Sequence, residues 1–183
     1  KKGIFRIKLG IIIARYSRGD DIACLRSDFV EIYEEWIMSF FPPDAYNENL
    51  KMLSLAVLFE IEENLIALTK RKMKEKEVKD WLLLFLIGEE QPDLPLLFPD
   101  RFQMMKALVE EKETDKPRLL AKYLKENWYN EKCDCYEAHK SSQNIYYGYW
   151  SFEAGAIAKI LKLDDSNLKN VPYYPYDLVH YKK

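Results

Sequence analysis

In the stretch 20–41, "DDIACLRSDFVEIYEEWIMSFF", the apolar residues Ile22, Leu25, Phe29, Ile32, Tyr33, Trp36 and Phe40 recur three or four positions apart. That spacing brings side chains back to one face of a helix at every turn but scatters them over both faces of a strand. It commits the segment to an amphipathic α-helix with one buried stripe. Asp20 or Asp21 supplies a cap after Gly19, and Pro42 and Pro43 supply a stop. The opening, "KKGIFRIKLGIIIARYS", reads as another amphipathic helix. Arg6 and Lys8 interrupt its apolar part, and no small-residue cleavage site follows, so it does not match a signal peptide.

The same spacing continues downstream. "NENLKMLSLAVLFEIEENLIALTKRK" (47–72) carries Leu50, Leu53, Val57, Ile61, Leu65 and Leu68, and predicts one long helix. Leu55, Leu58 and Phe59 widen its face, which suits a central element packed on two sides. "EVKDWLLLFLIGEE" has almost no polar face and predicts a deeply buried helix. "DRFQMMKALVEE" and "KPRLLAKYLKENWY" are two shorter helices; Asp115 caps the second and Pro117 fits its first turn. "QPDLPLLFP" is a proline-punctuated loop and "NEKCDCYEAHKSSQN" a polar connector. "YYGYWSFEAGAIAKIL" (146–161) predicts a last helix, followed by a proline- and tyrosine-rich tail. No segment alternates with strand period for long. The reading is an all-α, compact bundle of about seven helices.

Charge and cysteine usage narrow the function. The 28 basic and 30 acidic residues nearly cancel, which gives no electrostatic footprint for nucleic acid or an anionic membrane. The basic run Lys70, Arg71, Lys72, Lys74, Lys76 and Lys79 is broken by Glu75 and Glu77 and has no interleaved aromatics, so it reads as a solvated helix end. The longest uncharged apolar run, Trp81 to Gly88, is far shorter than a bilayer span of roughly 20 residues. Cys24, Cys133 and Cys135 are too few for a disulfide framework and fit a reducing cytoplasm.

Three features hold candidate chemistry. On a wheel of the last helix, Glu153 falls between Tyr149 and Ile157, inside the apolar arc. A carboxylate placed there needs partners. Tyr149, the Trp150 indole, and Arg15 or Arg18 of "ARYSRGDD" are the groups expected to hold it, which would tie the last helix to the first. A catalytic acid is the weaker reading, because no second carboxylate or histidine stands at useful spacing. Cys133, Cys135 and His139 offer three soft ligands, but C-x-C is not the usual knuckle and a fourth ligand is missing nearby; no metal is expected. Glu60, Glu62 and Glu63, and Glu110, Glu111 and Glu113, form two small acidic patches suited to a basic partner. No phosphate loop, dinucleotide fingerprint, nucleophile elbow or paired-histidine helix is present, so no cofactor and no enzyme activity are expected.

Several motifs together resemble one family. The "YYGYW" entry, the "FEA" helix, the "LDDSNLK" link and the "PYYPYDL" ending resemble the C-terminal domain of the PoNi immunity proteins. The connector "WYNEKCDCYEAHKSSQN", His139 included, fits in placement. "ARYSRGDD" followed by an amphipathic helix resembles the end of the family's N-terminal domain. Between about Leu50 and Trp128 the resemblance rests on helical pattern alone. It implies an all-helical protein that binds and inhibits a cognate DNase toxin of the restriction-endonuclease-like fold, protecting the producing bacterium in its cytoplasm.

On this reading 1–70 and 71–183 are the two portions of one continuous unit, a monomer or homodimer without catalytic residues. Its N-terminal part looks shortened, and the chain opens on Lys1 rather than Met, so a preceding segment is expected. The motif residues, being aromatic and apolar, read as core, which leaves partner specificity to exposed helix faces and loops. The competing readings are a helical adaptor for some other protein, and a small enzyme using Glu153 or the Cys/His loop.

Overall fold

Helical spacing becomes helix through most of the chain. A computed structural model describes residues 2–39, 45–89, 92–110, 115–143 and 145–183. Helices α1 (Lys2–Arg18) and α2 (Ile22–Ser39) form an antiparallel hairpin, laced by Lys8–Glu35 and Arg15–Asp28 ion pairs. α2 buries Leu25, Phe29, Ile32, Tyr33 and Trp36, the stripe expected from its sequence. Phe40, Pro42 and Pro43, expected to end that helix, lie outside the described residues.

The predicted long helix over 47–72 is two helices, α3 (Tyr46–Leu58) and α4 (Glu63–Glu75). Glu60 between them takes a left-handed backbone, φ 50°. Arg26 of α2 explains the break. Its Nε donates to the Phe59 carbonyl at 2.9 Å, its Nη2 to the Glu60 carbonyl at 3.3 Å, and Nη2 pairs with Glu62 at 2.6 Å. A guanidinium thereby satisfies carbonyls that a continued helix would have bonded itself. α4 then turns back on α2, where Tyr33 and Thr69 share a buried hydroxyl–hydroxyl contact of 2.9 Å.

α5 (Trp81–Leu86) is shorter than its apolar run suggested. It starts where the Asp80 carboxylate accepts the Leu83 N–H at 2.9 Å, and ends two residues before Gly88, which turns left-handed. α6 (Pro99–Glu110) follows, then α7 (Lys116–Lys122), whose start Asp115 caps as expected. α7 runs on into a π-helical turn, Tyr123–Trp128. α8 (Phe152–Leu161) and α9 (Tyr176–Val179) complete nine α-helices among the described residues, which contain no strand.

α8 lies at the centre, against α3 on one side and α9 on another, with α5 and α6 also touching it. Its residues 152–158 are all buried. Burying Phe152 and Ile157 stabilises the fold by about 1.5–3 kcal/mol each. Gly155 faces the tail: a Cβ there would lie 2.7 Å from Pro175 Cγ, so the close approach of α8 and the tail depends on glycine.

The predicted last helix does not begin at Tyr146. Residues 145–151 run outside helical structure and α8 starts at Phe152. Gly148, at φ 112°, breaks the pattern. Its hydrogen lies against α1, where a Cβ would stand 2.1 Å from Ser17 Oγ. Ser17 Oγ accepts the Trp150 Nε1–H at 2.8 Å and lies 2.6 Å from the Tyr147 carbonyl. The Ser151 N–H bonds the Tyr173 carbonyl at 2.8 Å. These partners, far away in sequence, take the backbone groups that a helix would use.

Candidate functional site

Glu153 opens α8 from inside the core. Its side chain is only 7% exposed, and its Oε1 accepts three hydrogen bonds: from Trp128 Nε1 at 2.8 Å, Ser151 Oγ at 2.9 Å and Tyr123 OH at 3.2 Å. Two of the donors come from the π-turn. Tyr123 and Trp128 are five residues apart, which is the hydrogen-bond step of a π-helix, so both reach the same carboxylate. Burial pushes the carboxyl above its ordinary value, while the Glu153 backbone N–H, the Ser151 bond, the nearby Arg101 guanidinium and the Trp128 bond pull the other way.

The groups expected to hold Glu153 do other work. Arg15 pairs with Asp20 at 2.9 Å and with Asp28, inside the α1–α2 hairpin, and Arg18 pairs with Asp20. Trp150 reaches Ser17, and the Tyr149 hydroxyl lies 2.5 Å from His139 Nδ1. The reason is the extended run before α8. Without a helical turn there, Tyr149 and Trp150 do not stack over Glu153 but splay toward α1 and the connector. Glu153 therefore ties α8 to the π-turn rather than to the first helix.

Above this carboxylate the aromatics form a continuous layer. The Trp128 ring lies 4.8 Å from that of Tyr173, which lies 5.4 Å from Tyr129. Tyr129 touches Tyr136 at 5.2 Å and Tyr149 at 4.8 Å, and Tyr149 touches Tyr146 at 4.8 Å. The layer ends in solvent: Tyr136, Tyr146, Tyr147 and Ile145 are 40%, 49%, 37% and 47% exposed. Tyr147 also covers Gly10 of α1, where a Cβ would meet its ring at 2.8 Å. Two non-glycine residues of this layer and its edge, Tyr173 (φ 69°) and Glu137 (φ 54°), hold left-handed backbone. Such positions cost on the order of 1 kcal/mol and collect at functional surfaces. The expectation that the "YYGYW" motif is core is therefore corrected at Tyr146 and Tyr147. The missed signal was the residue type: tyrosine, apolar at one end and wet at the other, suits a half-exposed layer better than a core.

The acidic patches are largely neutralised within the chain. Glu60 pairs with Lys159 at 3.1 Å, and Glu62 pairs with Arg26 at 2.6 Å and Lys183 at 2.8 Å. Glu110 lies 3.7 Å from Lys106, and Glu63 is exposed in the first turn of α4. Glu111 and Glu113 lie outside the described residues. The basic run is likewise laced, through Lys70–Glu89 and Lys72–Glu75.

The connector separates its soft ligands. Among the described residues, Cys133, Asp134 and Cys135 are the group placed closely enough to share a cation, and His139 is not part of it. Asp134 is instead bound to Lys51 of α3 at 2.6 Å.

Two family models match in chain order: the N-terminal model of the PoNe immunity proteins (PoNi) over residues 1–70, and the C-terminal model over residues 78–178. No curated protein matches significantly. Among solved structures, protein PA2201 from Pseudomonas aeruginosa is similar at a TM-score of 0.72 and 22% identity, over 97% of this chain and 72% of that one. That likeness shows a common fold. Since the two family models together span nearly its whole length, the chain belongs to the PoNi family of PoNe immunity proteins.

Proposed function

We propose that the chain gives immunity by binding its cognate nuclease toxin directly and holding it inactive, and that the tyrosine layer is the contact surface. The family match carries the first half of this reading: the family's role is immunity to a nuclease toxin. The toxin it fits is a DNase of the restriction-endonuclease-like fold, met in the producer's cytoplasm by a single copy of this chain acting as one body. α3 of the first portion packs on α8 of the second, which suits one body rather than two. No catalysis is involved: Glu153 is enclosed by Tyr123, Trp128 and Ser151 and holds the layer in place from below.

Exposed Tyr136, Tyr146 and Tyr147 beside Ile145 support the second half. Tyrosines present large apolar area at low entropic cost and dominate binding hot spots. Glu60 and Glu62, already paired with Lys159, Arg26 and Lys183, add little pull toward a basic DNA groove. Glu63 is left as an acid for a rim.

The test is inhibition of DNA cleavage by the nuclease encoded beside this gene, with affinity measured calorimetrically. The chain abolishes cleavage at equimolar ratio. Tyr136→Ala combined with Tyr146→Ala weakens binding by at least about 30-fold, from two hot-spot losses above 1 kcal/mol each, with an unchanged melting temperature. Full cleavage with the chain in excess would end the immunity reading. Unaltered affinity of the double variant would move the contact surface elsewhere.

A further inference from the structure

Cys133 and Cys135 stand in an arrangement that the immunity reading does not use. Their Sγ atoms are 2.6 Å apart. Non-bonded heavy atoms rest at roughly 3.5–4.0 Å, and two sulfurs on one tetrahedral zinc, each about 2.3 Å from it, would stand roughly 3.7 Å apart. The loop therefore holds the sulfurs nearer to a disulfide than to a metal clamp. It does so by turns: the Cys133 N–H bonds the Asn130 carbonyl, the Tyr136 N–H bonds the Cys133 carbonyl, and Asp134 between them is anchored to Lys51. Both cysteines are free thiols, Cys133 buried and Cys135 half-buried.

The two sulfurs also differ in chemistry. The Cys135 backbone N–H donates to Cys133 Sγ at 3.4 Å, and the two thiols share a contact in which either can donate. The backbone bond favours a thiolate at Cys133, whose pKa is lowered, while that of Cys135 is shifted upward. Cys133 is the nucleophile of the pair and Cys135 the resolving thiol.

We infer that Cys133 and Cys135 are a redox-active dithiol that a small-molecule disulfide converts into an intramolecular disulfide. The Cys133 thiolate attacks one sulfur of the oxidant and expels a thiolate. Cys135 then loses its proton and attacks Cys133 Sγ, expelling the second thiolate. Two electrons pass from the protein to the oxidant, which leaves as two thiols. Closure across one intervening residue gives a small, strained ring, and strained disulfides are the readily reversible ones. The product is a covalent clip in the connector, one residue from exposed Tyr136.

The test uses the intact chain and oxidised glutathione, followed by acid quenching, alkylation and trypsin. Lys132 and Lys140 bracket the pair, so both cysteines fall in one peptide, 133–140. We expect that peptide to lose about 2 Da and to refuse alkylation, to take two alkyl groups after dithiothreitol, and Cys24 to stay alkylated throughout. Cys135→Ser halts at a glutathione adduct on Cys133, and Cys133→Ser slows the reaction at least about tenfold. A doubly alkylated peptide after oxidation would overturn the inference, as would stable adducts on both cysteines or disulfide-linked dimers.

Discussion

Glu153→Ala is the substitution whose cost the structure defines best. It removes an acceptor shared by three donors, and Tyr123 OH, Trp128 Nε1 and Ser151 Oγ lose their partner together. Tyr123 and Ser151 are buried and Trp128 half-buried, so little water can replace the carboxylate. A buried donor left unpaired costs about 1–3 kcal/mol. Relief from burying a carboxylate offsets part of this, which leaves a net loss of about 3–6 kcal/mol. For a chain of this size, each kcal/mol lowers the melting temperature by about 2–4 °C, so the fall is roughly 6–24 °C. Glu153→Gln keeps a carbonyl oxygen for the donors and drops the charge, so it stays within about 1 kcal/mol of the parent.

The two variants separate further with pH. Burial raises the folded carboxyl above its ordinary value of 4.5, so the protonated form is the better tolerated one. Its stabilising contribution is complete below 4.5 and is lost as pH rises through the folded value. Glu153→Gln, which cannot ionise, gains on the parent as pH rises and matches it near pH 4. Melts followed by circular dichroism at pH 4 and pH 8 check both points. A melting temperature unchanged in Glu153→Ala would refute the anchor. A Gln variant as damaged as the Ala variant would show that the charge, and not the acceptor, is what the core requires.

Gly148→Ala and Gly19→Ala make a matched pair, since both glycines hold positive φ, but a Cβ at Gly148 strikes Ser17 while one at Gly19 meets nothing within 4 Å. Gly148→Ala is therefore the more destabilising by at least about 1 kcal/mol in denaturant melts, and equal losses would discount the contact with α1. Hydrogen bonding by Lys183, then by Arg26, holds the Glu62 carboxyl down to about 2, so its contribution is present above 4.5 and lost as pH falls from there toward 2. Glu62→Gln should lower stability at pH 7 and flatten the acid decline in that window; parallel pH curves would contradict the clamp. Ser54 Oγ is buried without a partner among the described residues, so Ser54→Ala leaves the melting temperature unchanged or raises stability by up to about 1 kcal/mol, and a marked drop would reveal an acceptor.

What the sequence disclosed and what it hid follow a physical line. The stripe of α2 and the Asp115 cap were legible because period and capping are local properties. The break at Phe59–Glu62 was hidden, because Arg26 causes it from more than thirty positions away. The same holds for the extended run before α8, whose partners are Ser17 and Tyr173. A helical wheel placed Glu153 in an apolar setting, and the structure puts it in one. Drawn through Tyr149 and Trp150, however, that wheel named neighbours that exist only if those residues are helical. Nothing in local spacing announces a π-turn, so Tyr123 and Trp128 were never candidates.

That π-turn carries a consequence for the length of the chain. In an ordinary α-helix, residues five apart point about 140° away from each other, so Tyr123 and Trp128 would face different ways. Deleting one residue between them restores a regular helix and swings one donor off Glu153. Adding one displaces the other. The exposed residues 125–127 can therefore change in identity far more freely than in number, and a one-residue gap here is as severe a lesion as losing the carboxylate itself.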